Sequence, residues 1–251
     1  MNPEEYSNLS RVEKAHWYYA GKRELVRRWI DRCNPRKGRL RILDCGAGTG
    51  CFAEELAQAH EVHVLDDHEE SLRLLRSKFP AGQVHSLGAA GRLPFEDASF
   101  DVITALDVLE HIEHDDAALA EMHRVLRPGG LMVATVPASM RLWSDWDVSL
   151  HHFRRYDSRM LATLFGNRLH WETLWLNYTN FAIFPVAWLV RRCSVFRSKQ
   201  RQEDKIPHRW INLALKRVFV AQGLCRVRVP FGVSLICISR KPSAVRAEAS
   251  R

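Results

Sequence analysis

The 251-residue chain has no apolar run long enough to cross a bilayer, no Cys-x-x-Cys pair, and no repeat or low-complexity tract. A membrane-spanning helix needs roughly 20 consecutive apolar residues, whereas the longest run here, Phe181 to Val190, has ten. The six cysteines, Cys33, Cys45, Cys51, Cys193, Cys225 and Cys237, are scattered. That spacing argues against zinc ribbons and disulfide frameworks and points to a reducing cytosol. The opening residues, Met1-Asn2-Pro3-Glu4-Glu5-Tyr6, lack a basic region followed by an apolar one, so no secretory signal is expected. Charge is unbalanced: 37 Lys and Arg against 29 Asp and Glu give +8. Such a chain favours anionic partners, whether phosphate-bearing substrates, acidic lipid surfaces or nucleic acid.

What is present is a strand, a glycine-rich turn and a helix start, Ile42-Leu43-Asp44-Cys45-Gly46-Ala47-Gly48-Thr49-Gly50. Glycines at alternate positions clear side chains from the backbone and permit the positive φ that a tight strand-to-helix turn needs. Downstream, Val62-His63-Val64-Leu65 ends in Asp66 and Asp67, where an acid can accept both hydroxyls of a ribose. A nicotinamide-dinucleotide site would read Gly-x-Gly-x-x-Gly, but here the third glycine comes one residue early and Cys51 holds its place. Asp44 stands two residues before the first glycine, where its carboxylate would repel a pyrophosphate and attract an ammonium.

This segment resembles the first motif of the class I S-adenosylmethionine-dependent methyltransferases, Asp/Glu-x-Gly-x-Gly-x-Gly. Gly88-Ala89-Ala90-Gly91-Arg92-Leu93-Pro94-Phe95, Ser99-Phe100-Asp101-Val102-Ile103 and Leu126-Arg127-Pro128-Gly129-Gly130-Leu131 are similar to its later motifs, so the resemblance covers about residues 38 to 137. It implies S-adenosylmethionine as cofactor. The implied site has Asp44, Cys45, Gly46, Ala47, Gly48 and Gly50 at the methionine end and Asp66 at the ribose, with Asp67, His68, Ala90, Gly91 and Leu106 nearby. Where many relatives carry an acid for the adenine amino group this chain has Ala89, which leaves that contact to backbone groups or to Asp67, His68 or Arg92.

Apolar strands at Leu40 to Cys45, Val62 to Leu65, Val84 to Leu87, Asp101 to Leu106 and Leu131 to Val136 alternate with helical stretches at Phe52 to Ala59, Ser71 to Phe79 and Ala117 to Leu126. Alternation of this kind predicts an α/β fold, a Rossmann-like doubly wound sheet. Later strands are expected at His170 to Leu176 and Gly232 to Ser239, the second antiparallel as in the family. Residues 1–37 form an expected helical lid, 38–242 the methyltransferase domain with an insert at about 177–228, and 243–251 a disordered tail.

Ligands in open parallel sheets lie outside the carboxyl ends of the strands, so the catalytic candidates follow the fourth strand: Asp107, Glu110 and His111. A helical turn starting there would put all three on one face. Ubiquinone-pathway O-methyltransferases and small-RNA 2′-O-methyltransferases carry Glu-x-x-Glu-His plus a later His there and can bind a divalent metal. This chain offers Asp107-x-x-Glu110-His111 with His151 or His152. A metal is one reading; His111 as a base or acceptor contact, or as a structural residue, are the others. His114 and His123 are expected at the surface.

His16-Trp17-Tyr18-Tyr19-Ala20-Gly21-Lys22-Arg23 and His151-His152-Phe153-Arg154-Arg155-Tyr156 resemble segments of a broad bacterial methyltransferase group often associated with glycan or lipid pathways. Paired arginines beside aromatics can hold a phosphate or carboxylate, or simply stabilise a cap. The apolar insert, followed by Arg191, Arg192, Arg197, Lys199 and Arg201, suits either a helix lying in a lipid headgroup region or a packed cap, and Arg209 to Phe219 a second such element. The expected function is methyl transfer to a small-molecule or lipid-linked acceptor, in the cytoplasm or at the inner face of an anionic membrane. Alternatives are a metal-assisted RNA 2′-O-methyltransferase, although no RNA-binding module is recognisable, and a non-catalytic cofactor-binding protein.

Overall fold

The computed structural model describes residues 12–34, 38–88, 91–166, 170–192 and 206–243. Its elements are α1 (Trp17–Cys33), β1 (Arg41–Cys45), α2 (Cys51–Ala57), β2 (Glu61–Leu65), α3 (Glu69–Lys78), β3 (Val84–His85), β4 (Phe100–Leu106), α4 (Asp115–Val125), β5 (Leu126–Pro137), α5 (Asp145–Ser149), α6 (Ser158–Gly166), β6 (Glu172–Thr179), α7 (Phe184–Arg192), α8 (Arg209–Leu224) and β7 (Ser234–Arg240). The seven strands form one sheet in the order β3-β2-β1-β4-β5-β7-β6. Strands β1 to β5 pair in parallel, with Ile42 opposite both Val62 and Val102, and β7 runs antiparallel to β5 and β6. This is the expected doubly wound sheet.

Alternating side chains feed two cores, one on each face. Leu43, Ile103, Met132, Ala134 and Cys237 meet Leu119 and Met122 of α4 and Leu161 and Phe165 of α6 on one face. Ile42, Val102, Val133 and Ile236 meet Leu25 and Trp29 of α1, Phe52 and Leu56 of α2, Leu75 of α3 and Phe219 and Val220 of α8 on the other. Strand ends differ from expectation. β3 stops at His85, because Gly88 folds back to donate to the Arg92 carbonyl. β5 starts at Leu126, where it pairs with Phe100, so the expected turn before it is strand. β6 runs to Thr179 because β7 accompanies it along its whole length.

Helix α1 packs along α8, which is therefore a packed element on one face, although Trp210, Ile211 and Val218 stay exposed on another. Asn212 clamps the start of α1, accepting from the Trp17 amide at 2.8 Å and donating to the Ala15 carbonyl at 2.8 Å. The Trp29 indole donates to the Gly223 carbonyl at 3.2 Å. Gly223 sits under Leu25, where an added Cβ would stand 2.5 Å from its Cδ2 atom. We expect Gly223→Val to push the two helices apart and cost about 1–3 kcal/mol, read as a lower urea midpoint.

Candidate functional site

The strand order reverses at β1 and β4, which opens a crevice at their carboxyl ends. After Cys45, Gly46, Gly48 and Gly50 take φ of +66°, +54° and +76°. The loop amides are spent inside the protein. Gly46 and Ala47 donate to the Leu65 carbonyl, Gly50 to Ala47, and Gly48 to Asp66 Oδ2 at 2.8 Å. Few N–H groups are left to cradle a phosphate. An added Cβ at Gly48 would meet no protein atom within 4 Å, whereas at Gly46 it would strike Val108 at 2.5 Å. Gly48 therefore borders open space.

Asp44 lies buried at the base of this loop and accepts from the Thr104 hydroxyl at 2.6 Å. Burial pushes its pKa up to about 7; the Thr104 bond opposes this, and the charges of Glu13 and Asp66 add to it. Glu13 itself reaches in from the segment before α1 to accept from the Thr49 hydroxyl. Arg23 fixes that segment by donating to the Glu13 carbonyl at 2.6 Å and to Glu55 at 2.8 Å. Three carboxylates thus surround the loop, a setting suited to a cationic group and hostile to a phosphate.

On the β4 side, Asp107 turns left-handed at φ +56°. Its carboxylate accepts from Lys22 of α1 at 2.5 Å and from the Thr135 hydroxyl at 2.8 Å. Burial acts to raise the Asp107 pKa, but the Lys22 charge and both bonds outweigh it and hold the group below its ordinary value. The Lys22 ammonium lies over the Tyr18 and Tyr19 rings, 5.0 and 5.7 Å from their centroids. Burial opposes its charge, yet Asp107 and the tyrosines raise its pKa, so the pair is ionised.

The expected shared face of Asp107, Glu110 and His111 does not form. The left-handed turn puts Asp107 outside the short 3-10 turn Leu109–His111 and gives its carboxylate to Lys22. The group that does gather is Glu110, His111 and His152, each with one donor atom within 4.8 Å of the others. His152 Nδ1 bonds Asp147 Oδ1 at 3.0 Å, and the same oxygen accepts from Arg155 at 2.6 Å. Burial acts to raise Asp147, but these two partners hold its pKa down to about 2. The His111 and His152 rings lie 4.6 Å apart. His111 is open to solvent on one side; the wall on its other side, then the His152 charge, pull its pKa below the ordinary value. Burial first, and the Asp107 charge second, push Glu110 well above the carboxylate range, and its Oε2 has no hydrogen-bond partner among the described residues.

Other expected positions are more mixed. Asp66 is buried, its oxygens taking the Gly48 and His68 amides, while Asp67 and His68 are exposed. The Cys45 side chain is in the core, so only its backbone borders the crevice; Leu106 is half-buried and Gly91 exposed. Ala89 and Ala90 lie outside the described residues. His151 is exposed, at φ +57°. His114 is exposed as expected, but His123 packs edge-on against Trp171 at 4.8 Å, so its surface placement is corrected. Sequence reasoning missed Glu13, Lys22, Thr104, Asp147 and Arg155 as partners. Only the Lys22-Arg23 and Arg154-Arg155 pairs carried a signal.

Residues 43–134 match the family model described as a methyltransferase domain. An O-methyltransferase of Aspergillus nomiae is 41% identical over 114 residues, 42% of this chain and 49% of that protein. A ubiquinone/menaquinone biosynthesis C-methyltransferase of Burkholderia orbicola is 40% identical over 142 residues, 54% of this chain and 56% of that protein. The chain spans about half the length of the curated relatives it matches. Among solved structures, a chain complexed with a methyltransferase activator of Haloferax volcanii superposes with TM-score 0.61 at 16% identity, covering 96% of this chain and 95% of that one. The [4+2]-cyclase SpnF superposes with TM-score 0.53 at 20% identity, over 86% and 81%. These structures show the fold alone, since a cyclase shares it. Residues 43–134 therefore carry a methyltransferase domain, set in a seven-stranded sheet of the fold that its solved neighbours share.

Proposed function

We propose that the chain transfers a methyl group from S-adenosylmethionine to a small-molecule or lipid-linked acceptor, in the cytoplasm at the inner face of a membrane. One observation carries the reading: a glycine loop most of whose amides are consumed internally, bordering open space and underlain by the buried acid Asp44, whose charged neighbours among the described residues are the acids Glu13 and Asp66. The ammonium and sulfonium of this cofactor suit that charge, and Asp44, Gly46, Gly48 and Asp66 are the residues that would hold it. When bound, the cofactor supplies an activated methyl group. The names of the curated relatives favour a small-molecule acceptor.

The chain's own residues then align the acceptor and exclude water. Helix α1 is fastened across the crevice, through Lys22 to the β4 side and through Arg23 and Glu13 to the glycine-loop side. His111 takes the acceptor proton, while Asp107, Glu110 and His152 shape its surroundings. Its lowered pKa keeps the imidazole neutral near pH 7 and free to accept. The direct test is mass spectrometry of cell extracts incubated with the protein and labelled S-adenosylmethionine, where a labelled product is expected and its absence counts against the reading.

Four outcomes follow from these residues. Gly48→Val should leave a folded protein, strained by about 1–2 kcal/mol at its left-handed φ, that no longer binds cofactor in calorimetry. Asp44 is half-neutral near pH 7, so cofactor affinity should rise from pH 6 to pH 8 as the carboxylate forms. Because its folded pKa lies above the unfolded one, the same group should make the ligand-free protein less stable as pH rises through that value. Finally, His111→Ala should slow methyl transfer on the order of a hundredfold with little change in cofactor affinity. Loss of wild-type activity on chelation would instead assign Glu110, His111 and His152 to a cation.

A further inference from the structure

The positive charge of the chain is concentrated in one stretch. From Thr173 to Arg240 there are 12 Lys and Arg against two acids, Glu203 and Asp204, so this stretch carries +10 and the remainder −2. Its described residues, 173–192 and 206–240, contain no acid at all.

The same stretch carries aliphatic side chains that face water, and the fold puts them at the ligand edge of the sheet. Thr179, at the end of β6, lies level with Ser234 and with Pro137 at the end of β5. Beyond it the chain turns at Asn180, φ +58°, into α7. Helix α7 packs against the Met140–Leu142 turn that follows β5, and its Phe184 ring meets Phe231 at 5.3 Å. Outward from these contacts stand Val186 and Leu189, one helical turn apart and 61% and 57% exposed, with Met140 at 56%. Val227 is 64% exposed between Arg226 and Arg228, on a loop that Asn177 of β6 fastens at 2.9 Å through its carbonyl. Exposed aliphatic side chains beside arginines are costly in water and useful in a headgroup layer, where apolar burial and attraction to anionic lipid add. A nucleic acid would meet the arginines but gain nothing from Val186, Leu189 or Val227.

We propose that this face, α7 with the Val227–Phe231 loop, docks on an anionic lipid bilayer, so that the acceptor enters the site from the membrane side. The inference rests on the methyl-transfer reading for its acceptor, though the docking itself is tested separately. The full chain would be sedimented at low salt with phosphatidylcholine vesicles, with and without phosphatidylglycerol. Binding to the anionic vesicles alone is expected. The double variant Val186→Glu/Leu189→Glu should lose on the order of tenfold in partitioning, and Arg226→Glu and Arg228→Glu about fivefold or more each. Calorimetry should give all of them the wild-type cofactor affinity, which shows that they fold. Wild-type protein left in the supernatant, equal binding to both vesicles, or binding to single-stranded RNA in place of vesicles would overturn the proposal. Vesicle binding by a protein that binds no cofactor would uphold the docking face and remove the methyl-transfer reading.

Discussion

The ion pair between Lys22 and Asp107 joins helix α1 to the ligand edge of the sheet, and much of the site depends on it. Burying two charges is expensive, and an arrangement of this kind holds only when each charge is partnered. Here Asp107 takes the Thr135 hydroxyl as well as the ammonium, and Lys22 lies against two tyrosine faces. The bond therefore does more than attach a helix. It commits Asp107 to a structural partner and leaves Glu110, His111 and His152 to gather as a separate group.

Negative charge gathers where the cofactor would lie, through Glu13, Asp44 and Asp66, while the positive excess lies in the last third of the chain. A net charge near +8 conceals this division. Fields fall off within about 8–10 Å at physiological salt, so each region acts on its own neighbours. The crevice can favour a cationic ligand although the molecule as a whole is basic.

Much of this was legible in the sequence, and the reasons differ from element to element. β1, β4 and β7 are read as short, largely apolar runs, because both faces of the sheet are covered and nearly every strand residue is buried. The glycine loop is legible because positive φ at three alternate positions admits few other residues. Asp107 was misplaced because a left-handed φ at a non-glycine residue is imposed by tertiary partners, here Lys22 and Thr135, that lie 85 and 28 positions away. The Asp147–His152 contact was missed because a five-residue separation fits neither helix nor strand spacing. His123 reads as surface on its own helix, but Trp171 packs against it from across the fold.

The contact between α1 and α8 also bears on how the chain acquires its form. Asn212 bonds the Trp17 amide across 195 residues, and the Trp29 indole reaches Gly223 across 194. Contacts so distant in sequence form late, because the intervening chain must be ordered before they are favourable. During synthesis the first helix emerges long before its partner. Its apolar face, with Leu25, Val26 and Trp29, must then wait with the α8 side uncovered until the last quarter of the chain leaves the ribosome. Helix α1, with the Lys22 and Arg23 side chains it sends to the sheet, is accordingly fully held only once α8 has been made.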